Sequence, residues 1–377
     1  MKSFKSHIDW YILLTISTLM LFSLAFVYSA SASYAETQFG SQDKLFYGHI
    51  FRVIFGFILI FTFAKIDYHK VARFSRLFLM ISIVLLIFVL IIGTAEKGAS
   101  RWIDLGPLRF QPSEVAKLAI VLYFSYLIQR KKENIKDFTI GVVPILFWAA
   151  IVSLLIILQP NLSMTLVIFL LTIILMFAGN VRLLHVLSIT FLGMLLAILV
   201  VFLKSDYRLN RIISFLGNPT DVTNLESYSY QLRQSLIALG NGGFFGLGPG
   251  SSRQSNLFLP ESYGDFIFSV IGEEYGFIGT SAIIIFFVIF FWRGMKVAKN
   301  APDYLGYLIS IGITFMIITS VIINAGVNIG ILPTTGMPMP FISYGGTAIL
   351  VYSTAIGILL NISSHAGVFK ENESILT

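Results

Sequence analysis

The chain has 377 residues, of which 56% are hydrophobic and only 12% are charged, and this balance excludes an ordinary soluble globular domain. The formal net charge is +7, but the cations cluster in short loops between apolar segments, so nucleic acid is not an expected partner. The absence of cysteine excludes disulfides and thiolate metal sites.

Ten apolar segments are each long enough to cross a bilayer as a helix of about 20 residues. They lie at about 10–30, 47–65, 76–93, 112–129, 138–158, 162–179, 183–203, 265–292, 304–330 and 343–363. The first is longer than the apolar core of a signal peptide, so we predict an uncleaved helix. The sequence therefore predicts an all-α polytopic membrane protein with about ten transmembrane helices, forming one transmembrane domain over residues 1–377.

Lysine and arginine concentrate in alternate loops. The segments at 65–76, 130–136 and 293–299 carry 11 of the 26 and fall on the side of both termini. Short cationic loops face the cytoplasm, so both termini are predicted to be cytoplasmic. The motifs below then lie on the outer side. The longest loop, about 204–264 between the seventh and eighth spans, has enough apolar residues for short helices on the membrane surface.

The fourth span is preceded by a segment of mixed charge. Pro112 predicts a helix start, and Glu114 and Lys117 are three residues apart, so they can pair on one helix face. One interpretation is an interfacial anchor, with Trp102 at the headgroups and the Glu114–Lys117 charges neutralised. In the other, Arg101 and Lys117 offer positive charge to an anionic group such as a pyrophosphate.

Two further segments leave alternatives open. Gln159-Pro160 breaks a helix, and a tight turn between the fifth and sixth spans is the favoured interpretation. The glycine run at 240–250 suits either an anion-binding backbone or a flexible hinge. In the same long loop Arg208, Arg211 and Arg233 add cations, and each alone is typical of a surface residue.

Asp265 stands at the start of the eighth apolar run. Ionisable groups at membrane depth are costly and usually functional, although an aspartate here also suits a helix N-cap. Polar or small residues continue a helical stripe from it at Ser269, Gly272, Glu273 and Gly276. Such a stripe indicates a cavity or a helix contact, and we interpret Glu273 and Glu274 as structural.

The last loop, 332–346, has no charge and contains three prolines. It cannot be a continuous helix, so it is predicted to be a re-entrant or close-packed outer loop. Its polar side chains favour a neighbouring cavity over an ordinary packed loop.

These segments together resemble the SEDS family of membrane glycosyltransferases, over nearly the whole chain and closer to the FtsW branch than to the RodA branch. The matching motifs are Arg101-Trp102, Gln111-Pro-Ser-Glu114 to Lys117, Tyr207 to Arg211, Leu259-Pro-Glu261, Asp265-Phe-Ile-Phe268, Glu273-Glu274 and Pro338 to Gly346. Asn161 and Ser163 depart from it, because many relatives have aspartate and glycine there. Thr347 replaces a common serine.

The resemblance implies polymerisation of lipid II into glycan strands, with inversion, at the outer face of the bacterial cytoplasmic membrane, in cell division or cell-shape maintenance. It matches the essential aspartate of the family to Asp265, which is then the base that accepts the proton of the sugar hydroxyl. Lys117, Arg101 and Arg211 are expected to bind the pyrophosphate. The other expected substrate-binding residues are Glu114, Glu261 and Ser343.

The expected partners are lipid II, the lipid-linked nascent glycan, a class B penicillin-binding protein (a transpeptidase) and membrane proteins of the divisome or elongasome. No cofactor is certain, and a divalent cation, Mg²⁺ or Mn²⁺, is compatible with the chemistry. The rival functions are a transporter or flippase of lipid-linked precursors and, more weakly, a scaffold for division proteins. Crowding of the motifs on the outer side favours the enzyme, because alternating access needs gates on both sides.

Overall fold

A computed structural model describes residues 8–96, 99–105, 108–203, 227–260 and 262–366. In this part of the chain every predicted apolar segment is helical. In chain order the helices are α1 (Trp10–Phe39), α2 (Lys44–Lys65), α3 (Tyr68–Arg73), α4 (Ser75–Ile92), α5 (Pro112–Arg130), α6 (Val143–Leu158), α7 (Leu162–Ala178), α8 (Leu183–Leu203), α9 (Ser227–Gly242), α10 (Arg253–Leu257), α11 (Ile267–Lys299), α12 (Tyr304–Asn328) and α13 (Gly346–His365). A π-helical turn, Phe138–Val142, leads into α6.

Seven helical segments of the described residues are long and apolar enough to cross a membrane by themselves: α1, α2, α4, α6 with its preceding turn, α11, α12 and α13. The other three predicted spans are α5, α7 and α8. Helix α7 has only 17 residues, and α5 carries Glu114 and Lys117 within its first turns. The predicted all-α polytopic fold is confirmed.

Several boundaries differ from the prediction. Helix α1 continues to Phe39 rather than ending near residue 30, and α11 continues to Lys299. Polar residues in these extensions lowered the local hydropathy without stopping the helix.

A small antiparallel sheet of three strands was not predicted. Its strands are β1 (Thr94–Glu96), β2 (Ala99–Leu105) and β3 (Leu108–Phe110), in the order β1-β2-β3. It lies between α4 and α5, with Ile103 paired to Phe110. Strands this short, within a segment of mixed charge, give almost no pattern in the sequence.

The bundle has a buried centre and an apolar outer surface. Helices α5, α12 and α13 are buried along nearly their whole length. Helices α1, α2, α4 and α11 expose large apolar side chains, as helices facing lipid do. Helices α2 and α13 run close together, because a methyl group on Gly56 would lie 2.8 Å from Ser353 Oγ and one on Gly357 would lie 2.7 Å from the Ile60 carbonyl.

The two ends of the bundle are distinguished by the residues that meet there. The backbone N–H of Asp9 donates to Ser363 Oγ at 3.1 Å, and Arg293 Nη2 contacts Asp9 Oδ2 at 2.5 Å. The beginning of α1 and the ends of α11 and α13 therefore share one end, called here the termini end. The sheet, α9, α10 and the start of α11 lie at the opposite end, called the Asp265 end.

The predicted long loop is described in part. Residues 204–226 and Glu261 lie outside the described residues, and so does the predicted site residue Arg211. The remainder contains α9 and α10, as expected for a loop with short helices.

Candidate functional site

Asp265 lies two residues before α11 and is half-buried. The N-cap of α11 is Phe266, so the alternative in which Asp265 is the capping residue is wrong. Its carboxylate faces the last loop, since a methyl group on Gly336 would lie 3.4 Å from Asp265 Oδ2. The half-buried Asp265 carboxylate therefore lies next to the irregular backbone of the charge-free last loop.

Two buried asparagines from the end of α12 hold the backbone at Asp265. Asn324 Nδ2 and Asn328 Nδ2 donate to the Asp265 carbonyl at 2.8 and 3.0 Å. Asn324 Nδ2 also donates to the Met337 carbonyl at 2.7 Å, and Asn328 Oδ1 accepts from the Ser269 N–H at 3.1 Å. These amides connect α12, the start of α11 and the last loop, so they fix the backbone that carries the carboxylate.

The last loop is closely packed, as one of the two predictions for it stated. Phe341, Ile342 and Ser343 are buried. Ser343 Oγ accepts from the Met339 N–H at 2.7 Å, so the predicted substrate-binding hydroxyl also stabilises a turn. The Tyr344 N–H donates to the Tyr263 carbonyl at 2.9 Å, which joins this loop to the segment just before Asp265.

Glu114 and Lys117 form the predicted ion pair on α5. Lys117 Nζ lies 2.8 Å from Glu114 Oε2, and both side chains are at most 1% exposed. Lys117 Nζ also donates to the Tyr352 hydroxyl at 2.7 Å, which in turn donates to Ser320 Oγ at 2.8 Å. The pair is buried inside the protein, and its two charges neutralise each other, as the interfacial-anchor interpretation stated for them. Two of the three N–H donors of the ammonium are used within the protein.

Arg101, on β2, lies across the turn between α6 and α7. Its guanidinium donates to the carbonyls of Gln159, at 3.2 Å from Nε, and of Pro160. The turn itself is tight, as predicted, because α6 ends at Leu158 and α7 begins at Leu162. Arg101 therefore attaches the sheet to the helical bundle, and any anion it binds would lie at this junction.

The glycine run packs against a break in α11. Gly276 has φ 64° and ψ −160° inside the helix, which leaves carbonyls of the preceding turn without helical partners. The N–H groups of Leu247 and Gly248 donate to the carbonyls of Glu273 and Glu274, both at 2.9 Å. These N–H groups of the run bind protein carbonyls, so they are not available to an anion.

Glu273 and Glu274 are structural, as interpreted. Glu273 Oε2 accepts from Ser252 Oγ at 2.5 Å and from the Gln254 N–H at 3.2 Å. Glu274 Oε1 accepts from the Ser29 hydroxyl of α1. Glu273 therefore connects the long loop to α11, and Glu274 connects α1 to α11, both just before the break at Gly276.

A family model described as "Cell cycle protein", which is that of FtsW, RodA and SpoVE, matches residues 9–367. The chain belongs to this family. Two relatives in the family are similar over almost their full length, and two solved structures share the fold.

The relatives are Stage V sporulation protein E of Bacillus subtilis and a probable peptidoglycan glycosyltransferase FtsW of Trichlorobacter lovleyi. The first is 37% identical, covering 94% of this chain and 97% of the relative. The second is 38% identical, covering 96% and 95%.

The structures are a peptidoglycan synthase complex, described as coordinating polymerization and crosslinking, and the RodA of Thermus thermophilus. The first has a TM-score of 0.78 at 24% identity and covers 96% of this chain and 99% of that chain. The second has a TM-score of 0.69 at 22% identity and covers 96% and 98%. At these identities the likeness shows the fold alone.

One departure from the FtsW/RodA/SpoVE pattern has a structural role here. Asn161, one of the two residues that depart from the pattern of the resemblance, is the N-cap of α7, and its Oδ1 accepts from the Met164 N–H at 3.2 Å. Asparagine caps a helix as well as aspartate does. The geometry of the turn therefore does not depend on the missing charge.

Several residues near Asp265 could not be recognised from their sequence context. Asn324 and Asn328 could not be assigned a role from the sequence, because their partner Asp265 is about 60 residues away. Arg52 was missed altogether, although a cation inside the second apolar run was a visible signal. It lies beneath Tyr344, with Cζ 4.2 Å from the ring centroid.

Within the described residues no group of three or more His, Asp or Glu side chains could hold a metal ion. Mg²⁺ often binds through one or two carboxylates together with substrate phosphates. Asp265 is a half-buried carboxylate that could take part in such a site, so Mg²⁺ or Mn²⁺ stays a prediction.

Proposed function

We propose that this chain is an inverting peptidoglycan glycosyltransferase that polymerises lipid II into glycan strands. The observation that carries the proposal is Asp265, a half-buried carboxylate whose backbone is fixed by Asn324 and Asn328. An ionisable group held this way in a membrane protein indicates function. Relatives named as peptidoglycan glycosyltransferases, 36–38% identical to this chain, support the same reaction.

The chemistry needs one base. The 4-hydroxyl oxygen of the acceptor sugar forms a bond to the anomeric carbon of the donor, and its proton passes to the Asp265 carboxylate. The bond between the anomeric carbon and the pyrophosphate oxygen breaks, and its electron pair leaves with the pyrophosphate. That leaving group is a stable anion, so it needs no carboxylic acid to protonate it, unlike the sugar released by a glycosidase.

Cations stabilise the departing charge. Lys117, Arg101 and Arg211 remain the proposed pyrophosphate ligands, and Glu114 and Ser343 remain proposed substrate-binding residues. Lys117 has one N–H donor beyond those given to Glu114 and Tyr352, so an anion would share the ammonium with Glu114. Glu261 is proposed to orient the loop or the acceptor.

The Asp265 end is proposed to face outward, in the bacterial cytoplasmic membrane, with both termini in the cytoplasm. The cationic loops at the termini end support this orientation. Because the chain has no cysteine, a single introduced cysteine is the one thiol of the chain that a maleimide can label. A membrane-impermeant maleimide should label Ser251→Cys in intact cells and should label Lys136→Cys only after permeabilisation. The opposite pattern would reverse the orientation.

The partners are proposed from the resemblance. They are lipid II, the lipid-linked nascent glycan, a class B penicillin-binding protein and membrane proteins of the divisome or elongasome. The likeness in fold to a component of a peptidoglycan synthase complex is compatible with a transpeptidase partner.

A transporter or flippase of lipid-linked precursors is the rival function. The two are separated by incubating lipid II in detergent with the purified chain, alone and co-purified with its transpeptidase. A ladder of glycan products supports the glycosyltransferase, since detergent removes any membrane to transport across. If both preparations leave lipid II unpolymerised, the proposal is wrong.

A further inference from the structure

Arg52 is a buried arginine in the interior of α2. It lies eight residues after the start of the helix at Lys44, or about 12 Å along the axis. Only 5% of the residue is exposed, and its Nε and Nη1 atoms have no hydrogen-bond acceptor among the described residues. A buried cation at this depth is costly and is usually retained for a function.

The immediate neighbours of Arg52 do not neutralise it. No carboxylate of the described residues lies within 4.0 Å of the guanidinium, in contrast to Lys117 and its partner Glu114. Tyr344 covers one face of the guanidinium. One turn earlier on α2 is His49, whose Nε2 lies 2.8 Å from Ser23 Oγ and whose Nδ1 has no hydrogen-bond partner among the described residues. Nε and Nη1 lie on either side of the bond to Cδ, so their unpartnered N–H groups point in different directions. The edge that carries the Nε–H group remains for an anion.

The start of α13 lies beside this edge. A methyl group on Gly346, the first residue of α13, would lie 3.8 Å from Arg52 Nε. The N-cap is Gly345, which has no side chain to cap the first N–H groups of this 20-residue helix. The N-terminus of a helix carries partial positive charge and unpaired N–H donors, which together attract phosphate groups.

Arg52 also belongs to the same end of the molecule as Asp265. Tyr344, which stacks on Arg52, donates its N–H to the Tyr263 carbonyl at 2.9 Å, and the two tyrosine rings lie 5.6 Å apart. Tyr263 is two residues before Asp265. Lys117 lies further from the Asp265 end than Arg52 does. It contacts Tyr352, which is about 9 Å further along α13 than Gly346.

We propose that Arg52 and the first N–H groups of α13 form a phosphate-binding site for the pyrophosphate of a lipid-linked sugar. This proposal rests on the proposed function for the identity of the substrate. The planar guanidinium carries a fixed positive charge and N–H donors that suit phosphate oxygens, and its Nε–H group is unpartnered beside the start of α13. The same chemistry would recognise the phosphate of a phospholipid headgroup, so the test separates the two sources.

The test measures binding with the full-length chain in detergent, without turnover. The probes are undecaprenyl pyrophosphate and phosphatidylglycerol, and the variants are Arg52→Gln, Arg52→Lys and the control Arg76→Gln. Arg76 is exposed at the termini end. We expect Arg52→Gln to weaken binding of undecaprenyl pyrophosphate at least about tenfold. Arg52→Lys should weaken it less, and Arg76→Gln should leave it unchanged. Binding of phosphatidylglycerol should not change.

Three outcomes would overturn the site. They are unchanged affinity for undecaprenyl pyrophosphate in both Arg52 variants, an equal loss of affinity for phosphatidylglycerol, and an equal loss in Arg76→Gln. Arg52→Lys keeps the charge, so it answers the question if Arg52→Gln does not fold. Wild-type protein that shows the Arg52-dependent binding but makes no glycan would refute the proposed function and leave the site standing.

Discussion

At the scale of single residues, Lys117 and Arg52 show how burial alone does not define the role of a cation. Lys117 is neutralised by a carboxylate three residues away on its own helix. Arg52 has no such partner among the described residues and lies beside a helix start. The Lys117–Glu114 pair stabilises the fold whether or not substrate is bound. The charge of Arg52 is neutralised only when an anion binds beside it.

The structural role and the substrate-binding role of the Lys117–Glu114 pair can be measured separately. Lys117→Met should destabilise the protein by about 3–5 kcal/mol, because it leaves Glu114 buried and unpaired. The double variant Glu114→Gln/Lys117→Met should recover most of that stability. If Lys117 also binds pyrophosphate, the double variant will have a raised KM for lipid II. Melting temperature in detergent and initial rates measure the two effects.

A stable double variant with the wild-type KM would contradict the proposed pyrophosphate role of Lys117. A double variant as unstable as Lys117→Met would contradict the neutralised pair.

The local part of the site could be predicted from the sequence, and the rest could not. Glu114 and Lys117 pair because helical residues three apart always share a face. The contacts of Asn324 with Asp265, and of Arg52 with Tyr344, join residues that are tens to hundreds of positions apart. No periodicity encodes such contacts, since they depend on how separate helices pack.

At the scale of elements, the break in α11 is the feature on which the long loop depends. The stripe of polar and small residues after Asp265 was predicted to face a cavity or a helix contact, and at Gly272 it contacts Gly242 of α9. A methyl group on Gly276 would lie 2.5 Å from the Gly246 N atom, so the loop and the helix touch through backbone. The glycine run therefore allows the backbone of the loop to pack directly against α11.

Replacing Gly276 with alanine should destabilise the protein by at least about 2 kcal/mol, because φ is 64° and the methyl group meets backbone. Gly240→Ala is the matched control in the same run. It lies in α9 with nothing within 4 Å of the added methyl group, so it should be neutral or up to about 1 kcal/mol stabilising. Thermal unfolding of the two variants measures the difference. Equal melting temperatures would show that the break is not required.

The helices could be predicted because a run of about 20 consecutive apolar residues has few alternatives to a membrane-spanning helix. The small sheet was not, and neither was the break at Gly276. A positive φ inside a long apolar helix follows from tertiary contacts with residues 243–248, which the hydropathy of α11 does not reveal.

At the scale of the whole molecule, a charged cluster closes the termini end. His69, on α3, lies between two carboxylates, with Nδ1 2.8 Å from Asp67 Oδ1 and Nε2 2.6 Å from Asp303 Oδ2. Tyr68 and His365 are the other titratable groups packed here. Burial would lower the pKa of His69, but the hydrogen bonds and charges of Asp67 and Asp303 outweigh it and raise the pKa.

This cluster predicts a pH dependence of stability. Because the pKa of His69 is higher in the folded protein, its contribution is fully present below the unfolded pKa of about 6.5 and is lost as pH rises through the folded value. The pKa of Asp67 is lowered, so its contribution is lost only in acid. Melting temperature should therefore fall as pH rises above about 6.5, and His69→Gln should flatten that part of the curve. An unchanged curve in His69→Gln would contradict the role of the cluster.

The central claim is that Asp265 is the base of the transfer reaction, and polymerisation of lipid II by Asp265→Asn tests it most directly. The N-cap of α11 is Phe266, so this substitution keeps the shape of the side chain without removing a cap. Glu36→Gln, at an exposed carboxylate near the same end, is the control. We predict that Asp265→Asn keeps the wild-type melting temperature and loses at least about 100-fold in rate, whereas Glu36→Gln keeps full activity. A folded Asp265→Asn protein that makes glycan at the wild-type rate would show that Asp265 is not the base.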